Sequence, residues 1–477
     1  MGRTDMLTID KNSPKPLYQQ LYEGLKAEAP RENVEGIPLA PIRSLSKELG
    51  ISKNTVERVY QQLVVEGYIY AVPGSGYYWN YLNPARVEDK HGVLLQADPE
   101  KPRPVRYNLC YGNGNNRDFP WYVWKKCVRQ ALQLEEEAPY LEYGDKKGYL
   151  PLREVLARFL KSKRGVNCRP EQIILCSGVQ QAIAMLVPLL PHVYYPLAME
   201  EPGYDGVRNT FLRYNYQLTP ITVEDRGLSL DQLRASNAKL VYVTPSHQFP
   251  LGRVLPIAER YELVKIMSER GGYILEDDYD SEFRYGNMAF PSLQSLDENG
   301  CVIYVGSFSK TLSPTLRFTY MVLPEELLAK YEKLYRNHKN TIPDFLQIAL
   351  HQFVNEGYYS QWVRKQLKLN ERKYEVLREM FAGPECPACV QAMFNNAGVH
   401  LVVRMNTGRP QEEVLRRCEE NGVRIYSLRT SWHNQSLVDN DLYLLGFSSI
   451  CEEDLREAIG ILFRTVREIT AASQKIS

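Results

Sequence analysis

The sequence predicts two folded parts, a small α+β unit at the N-terminus and a larger α/β unit built on a parallel-rich sheet. Three observations carry this reading. From about residue 106, short apolar, β-branched runs alternate with helical stretches, the pattern of strands joined by crossover helices. Before that, two helical patterns flank Gly50 and an aromatic-rich stretch contains a Pro73-Gly74-Ser75-Gly76 turn. Between the two parts, residues 81–105 are polar, punctuated by proline and without sustained periodicity, as an interdomain linker is. The boundaries expected are therefore 1–80, 81–105 and 106–477, with a smaller lobe over about 340–477.

A chain of 477 residues exceeds one ordinary domain. Its 58 basic and 57 acidic side chains leave a net charge of +1, so no bulk electrostatic force directs it to nucleic acid or a membrane. Any DNA contact must be local. Nine cysteines, at 110, 127, 168, 176, 301, 386, 389, 418 and 451, show no disulfide framework, which suits a reducing compartment. Cys386-Pro-Ala-Cys389 lacks a second cysteine or histidine pair and reads as a turn, so no metal is expected. The N-terminus has no apolar leader and no run approaches the ~18 apolar residues of a membrane span, so a cytoplasmic protein is expected.

In the first unit, Leu17, Leu21 and Leu25 make an apolar helical stripe. Leu45, Leu49, Val56, Val59 and Leu63 then form the inward set of two helices that meet at Gly50, with Ser52 placed to cap the second. This is a helix-turn-helix pattern. Ser52, Lys53, Asn54, Thr55 and Arg58 face outward near the start of the second helix, where they offer hydrogen-bonding groups and two positive charges to a major groove. Residues 1–80 carry nine basic and nine acidic side chains, so the pattern also fits a purely structural three-helix module. Residues 67–79 read as a hairpin whose tip, Gly74 and Ser75, could approach the minor groove or phosphates. Arg43 ahead of the first short helix, the run Ser52-x-x-Thr55-Val56-x-x-x-Tyr60 and this hairpin resemble the GntR-type winged helix-turn-helix. The resemblance implies DNA contacts from Arg43, Ser52, Lys53, Asn54, Thr55, Arg58, Gly74 and Ser75. One departure is Ala40-Pro41-Ile42-Arg43, where that family usually shows Pro-Ser-x-Arg.

In the second unit, the stretches Val302–Lys310 and Tyr273–Tyr279 each begin as a short apolar, β-branched run that stops abruptly at polar residues, as buried parallel strands do at the carboxyl edge of a sheet. That edge receives Lys310 and the acids Asp277 and Asp278. Lys310 is either a solvated chain end or an amine whose pKa burial lowers enough for nucleophilic chemistry, with an acid on the adjacent strand to pair with a protonated ring nitrogen. Ser177, Gly178, Val179 and Gln180 link a strand to a helix start, a seat for phosphate. Tyr204, after Glu201-Pro202-Gly203, fits core packing or a ring stacked on a flat cofactor. His247, in Pro245-Ser-His-Gln-Phe-Pro-Leu-Gly252, fits a proton carrier or a capped loop residue.

The order of these motifs resembles a fold-type I aminotransferase, and with the front unit it resembles the MocR regulators of the GntR family over nearly the whole chain. The resemblance implies pyridoxal 5'-phosphate held by Lys310, with Asp277 facing the pyridine nitrogen and Tyr279 near the ring hydroxyl. It implies phosphate contacts from Ser177, Gly178, Val179, Gln180, Ser307, Ser309 and Arg317, and Tyr204 stacked on the ring. Tyr143 matches a tyrosine that reaches the partner subunit's phosphate, so a homodimer is implied. Phe249 stands where aminotransferases place asparagine, which leaves Gln248, His247 or Tyr279 to bond the ring oxygen, and Thr319 stands where glycine is usual. Arg429 is the best match for an effector-carboxylate arginine, with Arg424 and Arg404 as rivals. The function expected is a DNA-binding transcription regulator that senses an amino compound or the cofactor itself, with operator DNA as partner and no steady turnover. A working aminotransferase with a vestigial front unit, and a DNA-binding protein with a dead dimerisation scaffold, are the competing readings.

Overall fold

The computed structural model describes residues 8–11, 13–28, 36–80, 104–112, 119–134, 142–191, 194, 196–286 and 290–474. Most of the expected linker, 81–103, lies outside the described residues. The chain divides into two compact units, Met1–Arg103 and Pro104–Ser477.

The first unit contains α1 (Leu17–Glu28), α2 (Ile42–Leu49), α3 (Lys53–Val65) and the strands β1 (Ile69–Val72) and β2 (Gly76–Trp79). Leu21, Leu25, Leu45, Val56, Val59, Tyr60 and Leu63 are buried together, while Leu17 and Leu49 of the expected inward set are only half-buried against them and Tyr60 is added. Gly50 ends α2 at φ +60°, a left-handed conformation that costs glycine no steric penalty, and this turns the chain sharply into α3. Ser52 caps α3, its Oγ accepting from the Thr55 amide at 3.1 Å. β1 and β2 pair antiparallel from Ile69 opposite Trp79 to Val72 opposite Gly76.

The second unit runs β3 (Tyr107–Asn108), α4 (Trp121–Gln133), α5 (Leu150–Arg164), β4 (Ile173–Cys176), α6 (Val179–Leu186), β5 (Leu197–Glu201), α7 (Asp205–Arg213), β6 (Leu218–Glu224), β7 (Gly227–Leu228) and α8 (Leu230–Ala235). It continues with β8 (Leu240–Val243), α9 (Ile257–Glu269), β9 (Tyr273–Asp278), β10 (Val302–Ser307), β11 (Thr319–Val322), α10 (Glu325–Leu334), α11 (Asp344–Asn355) and α12 (Tyr358–Ala382). Last come β12 (Val390–Met393), β13 (His400–Met405), α13 (Gln411–Glu420), β14 (Val423–Arg424), β15 (Tyr426–Ser427), β16 (Leu442–Gly446) and α14 (Glu452–Gln474).

Eight strands form the large sheet in the order β4, β11, β10, β9, β8, β5, β6, β7. The five strands from β10 to β6 are mutually parallel, while β11 and β7 run against their neighbours. The sheet is thus mixed with a parallel centre, and its central strands are almost wholly buried, which explains the apolar runs of β8 and of the first halves of β9 and β10. The smaller sheet orders β12, β13, β16, β15.

The expected start of the smaller lobe near 340 is too early. α11 packs with α4 and α5 around Trp124, Leu156 and Phe353 in the core beside the large sheet, because its apolar face matches that core. In the other direction, Tyr107 and Leu109 join the smaller lobe's core, with β3 pairing β14 in parallel. The lobe is assembled from both ends of the unit. Among the described residues no helix is long and apolar enough to cross a membrane.

Leu401 in β13 is 1 % exposed at the centre of the smaller lobe's core. Leu401→Ala is expected to destabilise that lobe by about 2–5 kcal/mol, seen as a lower urea midpoint for loss of its tertiary signal.

Candidate functional site

Strand alternation decides how the acidic run of β9 is used. Glu276 and Asp278 fall on one face of the sheet and Asp277 on the other. Glu276 accepts from the amides of Leu293 and Gln294 at 2.8 and 3.0 Å. Asp278 accepts from Arg164 Nε at 2.6 Å and from the Tyr304 hydroxyl at 2.6 Å. Burial by itself would raise the Asp278 carboxyl, but Arg164 and Tyr304 outweigh it and hold the group below the usual carboxylate range. Asp277 instead points into a cleft of about 460 Å³, where Tyr242 donates to its Oδ2 at 2.8 Å. Burial pushes Asp277 up to about 7, Asp278 and Asp280 add to the rise, and Tyr242 and Lys310 oppose it.

Lys310 enters the same cleft from the turn after β10, its Nζ 3.6 Å from the centre of the Tyr111 ring. Burial lowers its pKa to about 8, against the pull of Asp280 and Asp277. An amine so placed spends a usable fraction of its time uncharged near neutral pH, as a nucleophile must.

One end of the cleft is built to receive an anion. Gly178 caps α6 at φ +114° with no side chain of its own, so the first amides of that helix are open. Arg317, itself in the left-handed region at φ +57°, lays its guanidinium across this turn and donates from Nη2 to the Ser177 carbonyl at 3.1 Å. A Cβ on Gly178 would lie 1.9 Å from that Nη2. Ser307 and Ser309 complete this end, Ser307 Oγ donating to Ser309 Oγ at 2.9 Å. Thr319, in the place where glycine was expected, donates to Ser307 Oγ at 3.3 Å.

Of the residues singled out from the sequence, Lys310, Asp277, Tyr279, Tyr204, Gly178, Val179, Gln180, Ser307, Ser309 and Arg317 all line this cleft. Ser177 stands behind the lining, its amide and hydroxyl turned to Gln181 Oε1. Among the three candidates for a ring-oxygen bond, only Tyr279 reaches the lining. Gln248 is held by backbone, donating to the carbonyls of Pro202 and Phe249 and accepting from the Leu251 amide. His247 lies buried beneath, with Nδ1 2.7 Å from Asp280 Oδ2 and 3.0 Å from the Tyr279 hydroxyl, and Nε2 3.1 Å from Asn395. It braces Tyr279 from below. His247, Asp280 and His400 are the only group of potential metal ligands found among the described residues, yet each engages a protein partner. Cys386 and Cys389 are free and half-buried, and the Cys386 amide closes a turn on Gly383.

Neither Tyr143, expected to serve a partner subunit, nor Arg429, expected to bind an effector carboxylate, lines this cleft. Tyr143 is 80 % exposed, with Lys339 Nζ 4.5 Å from its ring centre. Arg429 is exposed and paired with Glu412 at 3.2 Å. Its rivals are also engaged, Arg424 with Glu419 and Arg404 with Asp439.

Sequence reasoning missed Tyr111, Gly112, Tyr242, Thr244 and Pro314 as lining, and gave Phe249 no role. Phe249 packs its ring against Tyr111, Tyr204, Tyr279 and His400 at 5.1 to 6.3 Å, so an aromatic wall replaces the amide that an asparagine would present. Only the glycine-rich turn around Tyr111 and Gly112 carried a local signal. Tyr242 meets Asp277 through the parallel register of β8 and β9, which no local pattern specifies.

In the first unit, Arg43, Ser52, Lys53, Asn54, Arg58, Gly74 and Ser75 are exposed and Thr55 half-buried. Arg58 lies over the Tyr18 ring at 5.3 Å, and the Ser75 hydroxyl bonds that of Tyr78 at 2.5 Å.

Comparison with known proteins places this geometry. Residues 108–427 match the family model for aminotransferase class I and II. A multiple substrate aminotransferase from Thermococcus profundus superposes with a TM-score of 0.70 at 24 % identity, over 78 % of this chain and 93 % of that one. Nearly the whole chain aligns with regulators. The HTH-type transcriptional regulator YdeL of Bacillus subtilis (strain 168) is 34 % identical over 93 % of this chain and 95 % of its own length. The probable rhizopine catabolism regulatory protein MocR of Rhizobium meliloti is 31 % identical over 96 % and 95 %. Residues 108–427 belong to the class I and II aminotransferase family, and the chain as a whole belongs to the MocR-type regulators of the GntR family.

In the unfolded chain Lys310 titrates near its ordinary value of ~10.4, and in the folded chain at about 8. Between these values the unfolded state binds more protons, so the group opposes folding in full below pH 8 and the penalty fades as the pH climbs further. Lys310→Met is expected to raise the Tm of cofactor-free protein at pH 7 and to give little gain at about pH 10, measured by calorimetry.

Proposed function

We propose that this chain is a transcription regulator that binds operator DNA through an N-terminal winged helix-turn-helix and senses an amino compound at pyridoxal 5'-phosphate held in the Lys310 cleft. The observation that carries the reading is the meeting, in one cleft, of an amine held near 8, a buried carboxyl and an arginine-backed helix start. The relatives most similar over the full length are named as regulators, which favours sensing over turnover.

The cleft fits the cofactor at each of its ends. Gly178 leaves the amides of the α6 start open and Arg317 brings a full positive charge, so a phosphate would be bound there with Ser307 and Ser309 as further donors. Asp277, costly to ionise in its buried site, would be stabilised as the carboxylate by a protonated pyridine nitrogen, and Tyr242 holds it in orientation. Tyr279 would reach the ring oxygen, and Tyr204 and Phe249, packed edge-on against each other, would offer the ring an aromatic wall. Lys310 would hold the cofactor covalently through Nζ and be released when an amino compound takes its place. Pyridoxal phosphate supplies an electron sink for the carbon bearing that amino group. His247 and Asp280 would keep Tyr279 in place.

In the first unit, Ser52, Lys53, Asn54 and Arg58 would meet base edges and phosphates, and the hairpin tip at Gly74 and Ser75 the flanking backbone. A homodimer belongs to the proposal, because Tyr143 stands exposed and off its own cleft, as a residue serving a partner's cleft would. For the effector to act, it must favour one arrangement of the dimer by a free-energy difference of typically ~1–3 kcal/mol.

A gel shift on the chain's own upstream region, with and without pyridoxal phosphate and candidate amines, tests DNA binding and coupling together. The expected outcome is a specific shift altered by an amine only when the cofactor is present. Steady turnover of an amino donor and a keto acid without specific DNA binding would instead favour an enzyme. Lys310→Ala is expected to abolish the bound cofactor's visible absorbance while the folded protein remains. Gly178→Ala forces an alanine to φ +114° against Arg317 and is expected to weaken cofactor affinity about tenfold or more, read by equilibrium titration. Lys53→Ala is expected to weaken DNA binding across sequences and to reduce the salt slope by about 1.

A further inference from the structure

On the opposite face of β9 and β10 lies a second cavity, of about 310 Å³, between the end of α5 and the start of α12. Its walls are largely aromatic and aliphatic, with Phe159, Tyr320 and Val363 among them. Its charges are unbalanced. Arg164 at the base is already neutralised by Asp278. Arg284 has no such partner: its Nη2 donates to the Ser246 carbonyl at 2.5 Å, while its Nε is buried with no hydrogen-bond partner among the described residues. Lys163 and Arg364 stand exposed at the mouth without an ion pair among the described residues. A shallower hollow continues past Arg364 to Lys368. The one carboxyl in the cavity, Glu282, is pushed up to about 7 by burial, with Asp278 adding to the rise, and it accepts from the Tyr359 hydroxyl at 3.1 Å.

We infer that this second cavity is a binding site for a small organic carboxylate with an aromatic or branched apolar body. Arg284 lines the cavity without an ion pair among the described residues, and a carboxylate bound there would accept from its guanidinium in a charge-assisted bond. Lys163 and Arg364 draw the anion to the mouth. Glu282, protonated in the presence of a second negative charge, presents a donor rather than a repelling carboxylate. The apolar walls take the body of the ligand, as in small-molecule sites that fix orientation with a few polar groups. Burial already lowers the Arg284 guanidinium to about 10, with Arg164 adding to the fall, which is the condition a bound anion corrects. The site does not depend on a cofactor in the first cleft, although Arg284 and Arg164 both hold Ser246, next in sequence to His247 beneath Tyr279.

The test is calorimetric titration of the full-length chain with sodium benzoate, benzamide and phenyl phosphate. Benzoate is expected to bind at least about tenfold more tightly than the neutral, isosteric benzamide, and more tightly than phenyl phosphate. Lys163→Glu combined with Arg364→Glu changes only exposed residues and is expected to weaken benzoate at least about tenfold. Arg317→Ala, which removes the cation of the first cleft, is expected to leave benzoate affinity unchanged, so failure of the cofactor reading and failure of this one are distinguishable. Equal binding of benzoate and benzamide, absence of benzoate binding at about 10 mM, preference for phenyl phosphate, or loss of benzoate binding in Arg317→Ala would each overturn the proposal.

Discussion

The buried ion pair between Arg164 and Asp278 holds together the end of the sheet on which both cavities depend. Arg164 ends α5, Asp278 ends β9, Tyr304 reaches in from β10, and Ser246 joins from the loop after β8. Four separate stretches of chain meet in one set of hydrogen bonds. A buried pair of this kind contributes little by its mere presence, since desolvation of both charges offsets their attraction, but removing one partner leaves a bare charge in the interior at a cost of about 3–5 kcal/mol. Its value here is positional, because with Asp278 anchored on one face of β9, strand alternation directs Asp277 to the other.

Chemistry then follows from burial on both faces. On the Asp277 face, burial raises an acid and lowers an amine within one cleft, so each group sits close to neutrality, where a modest partner decides its charge. Across the sheet, burial raises Glu282 and lowers Arg284, and the cations outnumber the acids. The same physical cause prepares one cavity for a cationic ring with an anionic tail and the other for an anion. Phe249 and the His247–Asp280 pair show how a departure from the aminotransferase pattern is absorbed, with aromatic packing replacing an amide and a buried dyad bracing the tyrosine that remains.

The legible parts of the sequence were those whose signal is local. The helix, the turn at Gly50 and the Ser52 cap follow from a 3.6-residue apolar period and from residues with specific backbone preferences, and the structure repeats them. The central strands were equally plain, because strands buried on both faces carry apolar runs interrupted only where buried polar groups find partners. Continuity along the chain does not define the lobes: α11 lies beyond residue 340 yet its apolar face belongs with α4 and α5, and β3 opens the unit yet pairs β14.

By itself, then, the sequence determined the helix-turn-helix pattern, the parallel-centred sheet, the strand-end lysine and acids, and the order of motifs that marks the family, since each is written in periodicity or in neighbouring residues. Tertiary structure alone decided which of those residues share a space. Strand register brought Tyr242 to Asp277, packing of the loop after β8 turned His247 and Gln248 away from the lining, and the fold of the smaller lobe left Arg429 at the surface beside Glu412. The second cavity is wholly of this kind, because Lys163, Glu282 and Arg364 are distant in sequence and meet only where α5, the loop after β9 and α12 close around the Arg164–Asp278 pair.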